Sequence, residues 1–236
     1  MSLEPTTVAI VELAWARLLG LADDAFPNAR RDGLERITRI DDDAKTVTFV
    51  KLFDVGVMVG PRWAVDAAAE VDDESLTLHS TMLDLTHGHD GHGLGAAALY
   101  YSDVLLEIGP SEVAAVSREP KHCAEVEGQC PPDDVNEVGL TGLDEQFALV
   151  TDEGLAIAGS GYNIWEGILA HLGTLVTPEL RQQGLATYVT AVAVEEAMAS
   201  GLVPQWRARL DNDASRATAA KLGFDQAGTQ TTVLLG

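Results

Sequence analysis

The chain of 236 residues has little positive charge for its size. Lys and Arg number 15 against 37 Asp and Glu, which gives a formal net charge of −22. Nucleic-acid binding requires clustered cations against the phosphates, and an acidic surface repels a polyanion, so we expect no nucleic-acid partner. The charge favours a cationic partner or substrate, although an acidic surface that only maintains solubility explains it equally well.

Long apolar runs and numerous cysteines are also missing. No run approaches the roughly 18 apolar residues of a membrane span, and no basic segment followed by an apolar one opens the chain. We therefore expect no membrane partner and a cytoplasmic location. Cys123 and Cys130 are too few for a disulfide framework or a four-thiolate metal site, which agrees with a reducing compartment.

The N-terminal part of the sequence carries mixed signals. Apolar residues at spacings of three and four after Pro5 predict a helix over residues 5–22. Residues 36–57 predict two strands around an acidic turn, and residues 96–108 predict a buried helix. Together these patterns indicate an α+β region.

Residues beyond 134 are easier to interpret. The patterns predict strands at 147–151, 155–162 and 168–176, a helix at 185–200, a strand at 205–210, a helix ending at 222, and two short strands near 224–227 and 231–235. This order predicts an α/β domain with a sheet of mixed strand direction. The predicted domains are an α+β region at 1–110, a linker at 111–134 and an α/β domain at 135–236.

The most informative segment runs from Val176 to Ala186, between a buried strand and a helix. The amides of such a turn, together with the positive end of the following helix, can hold a phosphate anion. Gly184 would allow the backbone to approach the ligand closely. The glycine spacing fits neither the phosphate loop of nucleotide hydrolases nor the dinucleotide fingerprint.

Arg181, Gly184 and Ala186 resemble the acetyl-CoA loop of the GCN5-related N-acetyltransferase superfamily, whose signature is Gln or Arg, two residues, Gly, one residue, then Gly or Ala. A second motif of the family is similar to Asn212-x-x-Ser215. The resemblance covers roughly residues 135–236. It implies a mixed-sheet, acetyl-CoA-dependent N-acetyltransferase fold with an additional N-terminal α+β region.

The resemblance also implies how acetyl-CoA would bind as a co-substrate. The strand ending at Val176 would diverge from the strand at 205–210, and the pantetheine arm would lie in the gap and pair with backbone groups of Leu175 and Val176. Asn212 and Ser215 would contact the coenzyme from the other side, unless Asn212 only caps its helix. The pyrophosphate would be held beside Arg181 by the amides of Gln182, Gln183, Gly184, Leu185, Ala186 and Thr187.

His171 is the candidate base. Its place ten residues before Arg181 is similar to that of a histidine in aralkylamine N-acetyltransferases that helps to deprotonate the amine, although the second histidine of those enzymes is Gly173 here. A histidine can accept a proton near neutral pH; the alternative is a histidine packed in the core. Glu166 is a second candidate base or a contact for a cationic acceptor, unless it is a solvated turn carboxylate.

The general acid cannot be assigned from the resemblance. Many members of the superfamily carry a tyrosine at the place of Ala219, so solvent, Tyr188, Ser215 or Tyr162 would have to protonate the departing thiolate. The implied function is transfer of an acetyl group to a primary amine of a small molecule or peptide. A non-catalytic acyl-CoA-binding sensor is the alternative, and the chain could act as a monomer or a homodimer.

Three histidines lie in a glycine-rich segment of the N-terminal region. His87, His89 and His92, with Asp90 among them, are metal-ligand types, but the flexible segment favours a solvated or binding loop and we assign no metal. Alternatively, Gly93-Leu94-Gly95 before a predicted helix echoes the loop at Gly184. The N-terminal region would then be a degenerate acetyltransferase-like half.

Overall fold

The computed structural model describes residues 3–105, 109 and 114–236. Its helices are α1 Pro5–Leu18, α2 Ala25–Asp32, α3 Arg62–Ala68, α4 Asp73–Leu76, α5 His79–Thr86, α6 Pro120–Gln129, α7 Pro132–Val138, α8 Leu185–Ala199 and α9 Asp213–Lys221. Its strands are β1 Arg36–Ile40, β2 Thr46–Leu52, β3 Val55–Gly60, β4 His92–Tyr101, β5 Ala115–Ser117, β6 Glu145–Val150, β7 Ala156–Trp165, β8 Leu169–Val176, β9 Val203–Arg209 and β10 Asp225–Leu234. From β8 onwards strands and helices alternate, as the α/β prediction requires.

The chain divides into two compact units. The C-terminal unit comprises Met1–Thr7, Tyr101–Trp206 and Ala217–Asp225. The N-terminal unit comprises Val8–Tyr100, Arg207–Arg216 and Gln226–Gly236. Each unit therefore contains segments from both ends of the chain.

The sheet of the C-terminal unit has the strand order β9-β8-β7-β6-β5. The pairs from β5 to β8 are antiparallel, and β8 pairs with β9 in parallel. Helix α8 packs against one face through Leu185 and Val189, which join Val176 in a buried cluster. Cys123 and Val126 of α6 join Leu175 in a second cluster on the opposite face. The alternation of side chains along β8 thus gives each face its own helix.

A chain of hydroxyl groups connects β7, β8 and α8. Ser160 Oγ lies 2.8 Å from Thr174 Oγ1, and Thr174 Oγ1 lies 2.7 Å from Thr190 Oγ1. Ser160 also donates to the carbonyl oxygen of Gly173 (3.0 Å). Because Ser160 and Thr190 are fully buried, these hydrogen bonds satisfy polar groups that would otherwise be costly in the core.

The strands of the N-terminal unit have mixed directions and lie in the order β1-β3-β2-β10-β4. β1 pairs with β3 in parallel, whereas β2 pairs antiparallel with both β3 and β10. The core contains Phe49 and Met58 of the sheet with Leu76 and Met82 of the covering helices. The Arg36 guanidinium donates to Asp73 and to the carbonyl oxygens of Ala68 and Val71, which ties β1 to the helical layer.

Several local predictions differ from the structure. The helix predicted over 96–108 is wrong, because residues 96–101 belong to β4; residues 106–108 lie outside the described residues. Periodicity alone does not distinguish a continuous apolar run of this kind in a strand from one in a buried helix. The two short C-terminal strands are one strand, β10, since Gly228 can continue the ladder with the main chain of Lys51 directly against it.

The predicted division into 1–110, 111–134 and 135–236 does not coincide with the two compact units. Residues 114–134 of the predicted linker form β5, α6 and the start of α7, and α6 carries buried residues. Residues 111–113 lie outside the described part. Pro120 and Pro132 stand at the start of α6 and α7, where the N–H that proline lacks would have no partner within the helix.

Gly161 of β7 offers a test of the sheet in the C-terminal unit. A Cβ at this position would lie 2.0 Å from the carbonyl oxygen of Glu145. We predict that Gly161→Ala lowers the free energy of unfolding by about 1–3 kcal/mol, or roughly 2–4 °C in Tm for each kcal/mol. Thermal unfolding measured by circular dichroism checks this. Gly142→Ala is the control, since no atom lies within 4 Å of that Cβ position; equal Tm changes in both variants would contradict the packing argument.

Candidate functional site

The segment between β8 and α8 forms the glycine loop, residues 177–184. A 3₁₀ turn over Pro178–Leu180 opens it, and Gln182 and Gly184 both have positive φ angles, of 65° and 83°. A positive φ is uncommon for a residue with a side chain and costs conformational energy. The loop therefore has a specific backbone shape that glycine adopts readily at 184 and that Gln182 adopts under strain.

The N-terminus of α8 has no side-chain cap. Its N-cap residue is Gly184, which provides no side-chain oxygen, and the first backbone bond of the helix runs from Tyr188 N to Gly184 O (3.0 Å). The amides of the first turn have no partner within a helix, and the helix dipole adds positive potential there. A Cβ at Gly184 would meet no described atom within 4 Å. The arrangement is suited to an anion beside an open main chain.

Arg181 is positioned by two contacts. Its Nε donates to the carbonyl oxygen of Val176 (3.2 Å), and its Nη2 donates to Asp134 Oδ2 of α7 (2.6 Å). Both side chains of this ion pair are exposed by about two fifths, 43% and 37%. An exposed pair of this kind contributes little to stability, and its main effect is to hold the guanidinium beside the glycine loop.

The pairing of β8 with β9 ends partway along β8. Leu169–His171 pair with Val203–Gln205, whereas β8 continues to Val176 and β9 to Arg209. Among the described residues these are the three register pairs of the ladder. The two strands that were predicted to diverge, β8 and β9, thus share a short parallel ladder. It lies at the start of β8, the end that is far from the glycine loop.

The register also decides which backbone groups of β8 face β9. Thr177 N donates to Ile157 O on β7, and the antiparallel alternation then directs the backbone of Leu175 at Gly159. The expectation that Leu175 pairs with the pantetheine arm does not fit this geometry. Backbone groups of Thr174 and Val176 point away from β7, towards the side on which β9 pairs with the start of β8.

His171 lies on the last register pair of that ladder. Its ring stacks on Trp165 of β7 with centroids 4.0 Å apart and planes at 19°. The side chain is half-buried, on the same face of the sheet as α6. The ring is therefore packed on one side and part-exposed, and the role of His171 as a base stays a prediction.

Glu166 lies in the hairpin between β7 and β8. It has a φ of 56° and is exposed, and Ile168 N closes the turn on Trp165 O (2.9 Å). This is the geometry of a solvated turn carboxylate. A role for Glu166 as a base stays a prediction.

Asn212 and Ser215 lie in the N-terminal unit at the start of α9. Asn212 Oδ1 accepts a hydrogen bond from Ser215 N (3.0 Å), so Asn212 caps this helix through its oxygen. The side-chain nitrogen of Asn212 remains as a hydrogen-bond donor for a ligand. Ala219, further along α9 and in the C-terminal unit, is fully buried.

The candidate acids occupy different surroundings. Tyr162 is 3% exposed, and burial raises the pKa of its phenol. It lies opposite Leu172 in the register and so faces α8, away from His171. Tyr188 lies in the first turns of α8 and is half-buried. The structure therefore separates Tyr162 from the candidate base, and the role of Tyr188 is untested.

The histidines of the N-terminal unit do not gather. His87 and His89 lie in a 3₁₀ turn, and the His89 ring stacks on Trp63 with centroids 3.5 Å apart. No group of three or more His, Cys, Asp or Glu side chains in the described ranges could hold a metal ion. Gly93 is packed against His79 and lies, with Leu94 and Gly95, within β4 rather than before a helix, so the resemblance to the glycine loop does not extend beyond the glycines.

Gln205 is a residue of the site that the sequence patterns did not single out. It pairs with His171 in the ladder and is fully buried. The sequence predicted only that residues 205–210 form a strand. The importance of Gln205 depends on the register of β9 with β8, for which the sequence contains no local signal.

Comparison with known proteins finds a match in the part of the chain that contains β8, the glycine loop and α8. The family model of the GNAT acetyltransferases matches residues 148–233. A Drosophila protein of known structure is 15% identical with a TM-score of 0.51, over 66% of this chain and 57% of its own. A GCN5-related N-acetyltransferase from Kribbella flavida is 18% identical with a TM-score of 0.49, over 64% of this chain and 62% of its own. A GNAT-family acetyltransferase from Colwellia psychrerythraea is 16% identical with a TM-score of 0.47, over 65% of this chain and 60% of its own.

The matched part spans less than two thirds of the length of each of these three proteins. No curated protein is significantly similar to the chain. None of the described helices has the length and apolar character needed to cross a membrane. Residues 148–233 thus match the GNAT acetyltransferase family in sequence, within a C-terminal half of mixed α/β architecture.

Proposed function

We propose that the C-terminal unit binds acetyl-CoA and transfers the acetyl group directly to a primary amine of a small molecule or peptide. The observation that carries this proposal is the glycine loop, in which an uncapped helix N-terminus follows an open glycine of positive φ. The family match over residues 148–233 supports the same activity.

The residues present fit the coenzyme. The amides of Gln182, Gln183, Gly184, Leu185, Ala186 and Thr187 would hold the pyrophosphate at the start of α8, beside the Arg181 guanidinium. Backbone groups of Thr174 and Val176 would pair with the pantetheine arm, because they face away from β7. A role for Asn212 and Ser215 in binding the coenzyme stays a prediction from the sequence.

Acetyl-CoA supplies an activated acyl group, and the protein has to supply a deprotonated amine. In the proposed reaction the amine nitrogen bonds to the thioester carbonyl carbon, and the C–S bond breaks with its electron pair on sulfur. His171 would accept the proton that the nitrogen loses, directly or through water. Solvent or a nearby hydroxyl such as that of Tyr188 would return a proton to the thiolate.

The acidic composition supports a cationic acceptor. With a net charge of −22, the chain attracts ammonium compounds over long distances and repels anionic metabolites. We therefore expect polyamines, aralkylamines, aminoglycosides or basic peptides to be acetylated faster than acidic amino acids. An amine panel at low and moderate salt measures this preference, and faster acetylation of the acidic set would contradict it.

A non-catalytic acyl-CoA sensor is the second candidate function. The buried Ala219 at the place of the family tyrosine favours it, since no acid can act from that position. Titration calorimetry with acetyl-CoA, followed by the amine panel, separates the two functions. Binding without turnover of any amine supports the sensor, and absence of binding contradicts both.

Gly184 provides a test of the loop. We predict that Gly184→Val weakens coenzyme A binding at least about tenfold, because the added side chain projects into space that holds no described atom and would meet only the ligand. Gly201→Val is the matched control at the other end of α8, with a φ of 76° and the same open surroundings. Both variants carry a similar backbone strain of about 1–3 kcal/mol. Calorimetric Kd values that are equal for the two variants would show that the loop does not contact the coenzyme.

His171 provides a test of the base. We predict that His171→Ala lowers kcat near neutral pH by on the order of 10²–10⁴ and leaves the Kd for coenzyme A nearly unchanged. The variant also loses the stacking on Trp165, worth about 0.5–1.5 kcal/mol, so Tm should fall by a few degrees. Recovery of activity on addition of free imidazole distinguishes a missing base from a packing defect. A lower Tm with an unchanged kcat would instead show a purely structural histidine.

A further inference from the structure

Gln205 is a buried polar side chain whose hydrogen-bonding groups have no partner among the described residues. Its exposed fraction is 0%, and neither Nε2 nor Oε1 meets a described donor or acceptor. A buried carboxamide that makes no hydrogen bond destabilises a fold, so an unpaired one requires an explanation. Ser160 shows the ordinary case, a fully buried hydroxyl with two partners.

The position of Gln205 supplies the explanation. It pairs with His171 on the last register pair of the β8–β9 ladder. Side chains of laterally paired residues point to the same face, so the carboxamide lies on the face that carries the His171 and Trp165 rings. Beyond this pair, β8 continues to the glycine loop paired with β7 and without β9.

Under the proposed function, this is where the thioester would lie. The pyrophosphate would be held at the start of α8, and the pantetheine arm would run back along Val176 and Thr174 towards His171. A thioester at the end of the gap between β8 and β9 would lie beside Gln205, and contact with it requires the buried carboxamide to turn from the sheet face towards the gap. Hydrogen bonds are stronger where water is excluded.

The chemistry of a carboxamide matches the bond that forms there. When the amine nitrogen bonds to the thioester carbonyl carbon, that carbon carries two polar groups. One is an oxygen that gains negative charge, and the other is a nitrogen that still bears hydrogen. The donor and the acceptor of the carboxamide are about as far apart as this oxygen and nitrogen. Two hydrogen bonds can therefore form side by side, as in a cyclic amide dimer. Nε2 would donate to the oxygen, and Oε1 would accept from the amine N–H.

We infer that Gln205 is a catalytic residue of the acetyl transfer, which binds the thioester oxygen and the acceptor amine through its buried carboxamide. This inference rests on the proposed function and extends it, since it assigns a direct contact with the reacting atoms to a side chain of β9. Proton removal stays with His171. Gln205 adds orientation of the two reactants and stabilisation of the developing charge.

The test uses Gln205→Met, which keeps the volume of the side chain and removes both hydrogen-bonding groups. We expect kcat/KM for the amine to fall by on the order of 10²–10³, while the calorimetric Kd for coenzyme A changes by less than about twofold. Tm should stay unchanged or rise by roughly 2–4 °C, since an unpaired amide leaves the core. Ser160→Ala is the stability control, and its Tm should fall because it removes a paired hydroxyl.

The outcomes separate this inference from the proposed function. If the unaltered protein binds no acetyl-CoA, the proposed function fails. If that protein is active and Gln205→Met retains its kcat/KM, the inference about Gln205 alone is overturned. A marked fall in Tm for both Gln205→Met and Gln205→Leu, or failure of both to fold, would show a structural residue and would also overturn it.

Discussion

The short parallel ladder between β8 and β9 is the constraint on which the site depends. Three register pairs, from Leu169 with Val203 to His171 with Gln205, align the two strands, and the pairing then ends. A longer ladder would occupy the backbone groups of Thr174 and Val176. A shorter one would leave the strand ends without a common register. The position at which the ladder stops thus determines where a strand-like ligand could begin, and it places two polar side chains on the same face at that point.

The sequence predicted the elements of the C-terminal half well, because each has strong local signals. The strand before Pro178, the helix that begins after Gly184 and ends before Gly201, and the hairpin around Gly154 were all identified. The N-terminal half was harder to interpret. The run of residues 96–101 has no periodicity that separates a strand from a buried helix, and only its place within a sheet decides the matter. Prolines at 120, 131 and 132 mark helix starts as well as linkers.

The candidate site was predictable where backbone geometry carries the chemistry and less so elsewhere. The glycine loop has a motif because its shape requires glycine at 184, whereas Gln205 has none because its importance comes from a neighbour on another strand. Leu175 shows the same limit. Whether a residue on a strand directs its amide to one side or the other depends on the register with β7, which a one-residue shift reverses.

The hydrogen bonds that connect Ser160, Thr174 and Thr190 prevent α8 from sliding along the sheet. Apolar contacts between a helix and a sheet permit sliding, since they have little directional preference, but hydrogen bonds of 2.7–2.8 Å do not. A displacement of α8 by one residue would move its N-terminus by about 1.5 Å along the helix axis. The buried hydroxyls therefore fix the position of α8 along the sheet, and with it the position of the helix N-terminus relative to the end of β8.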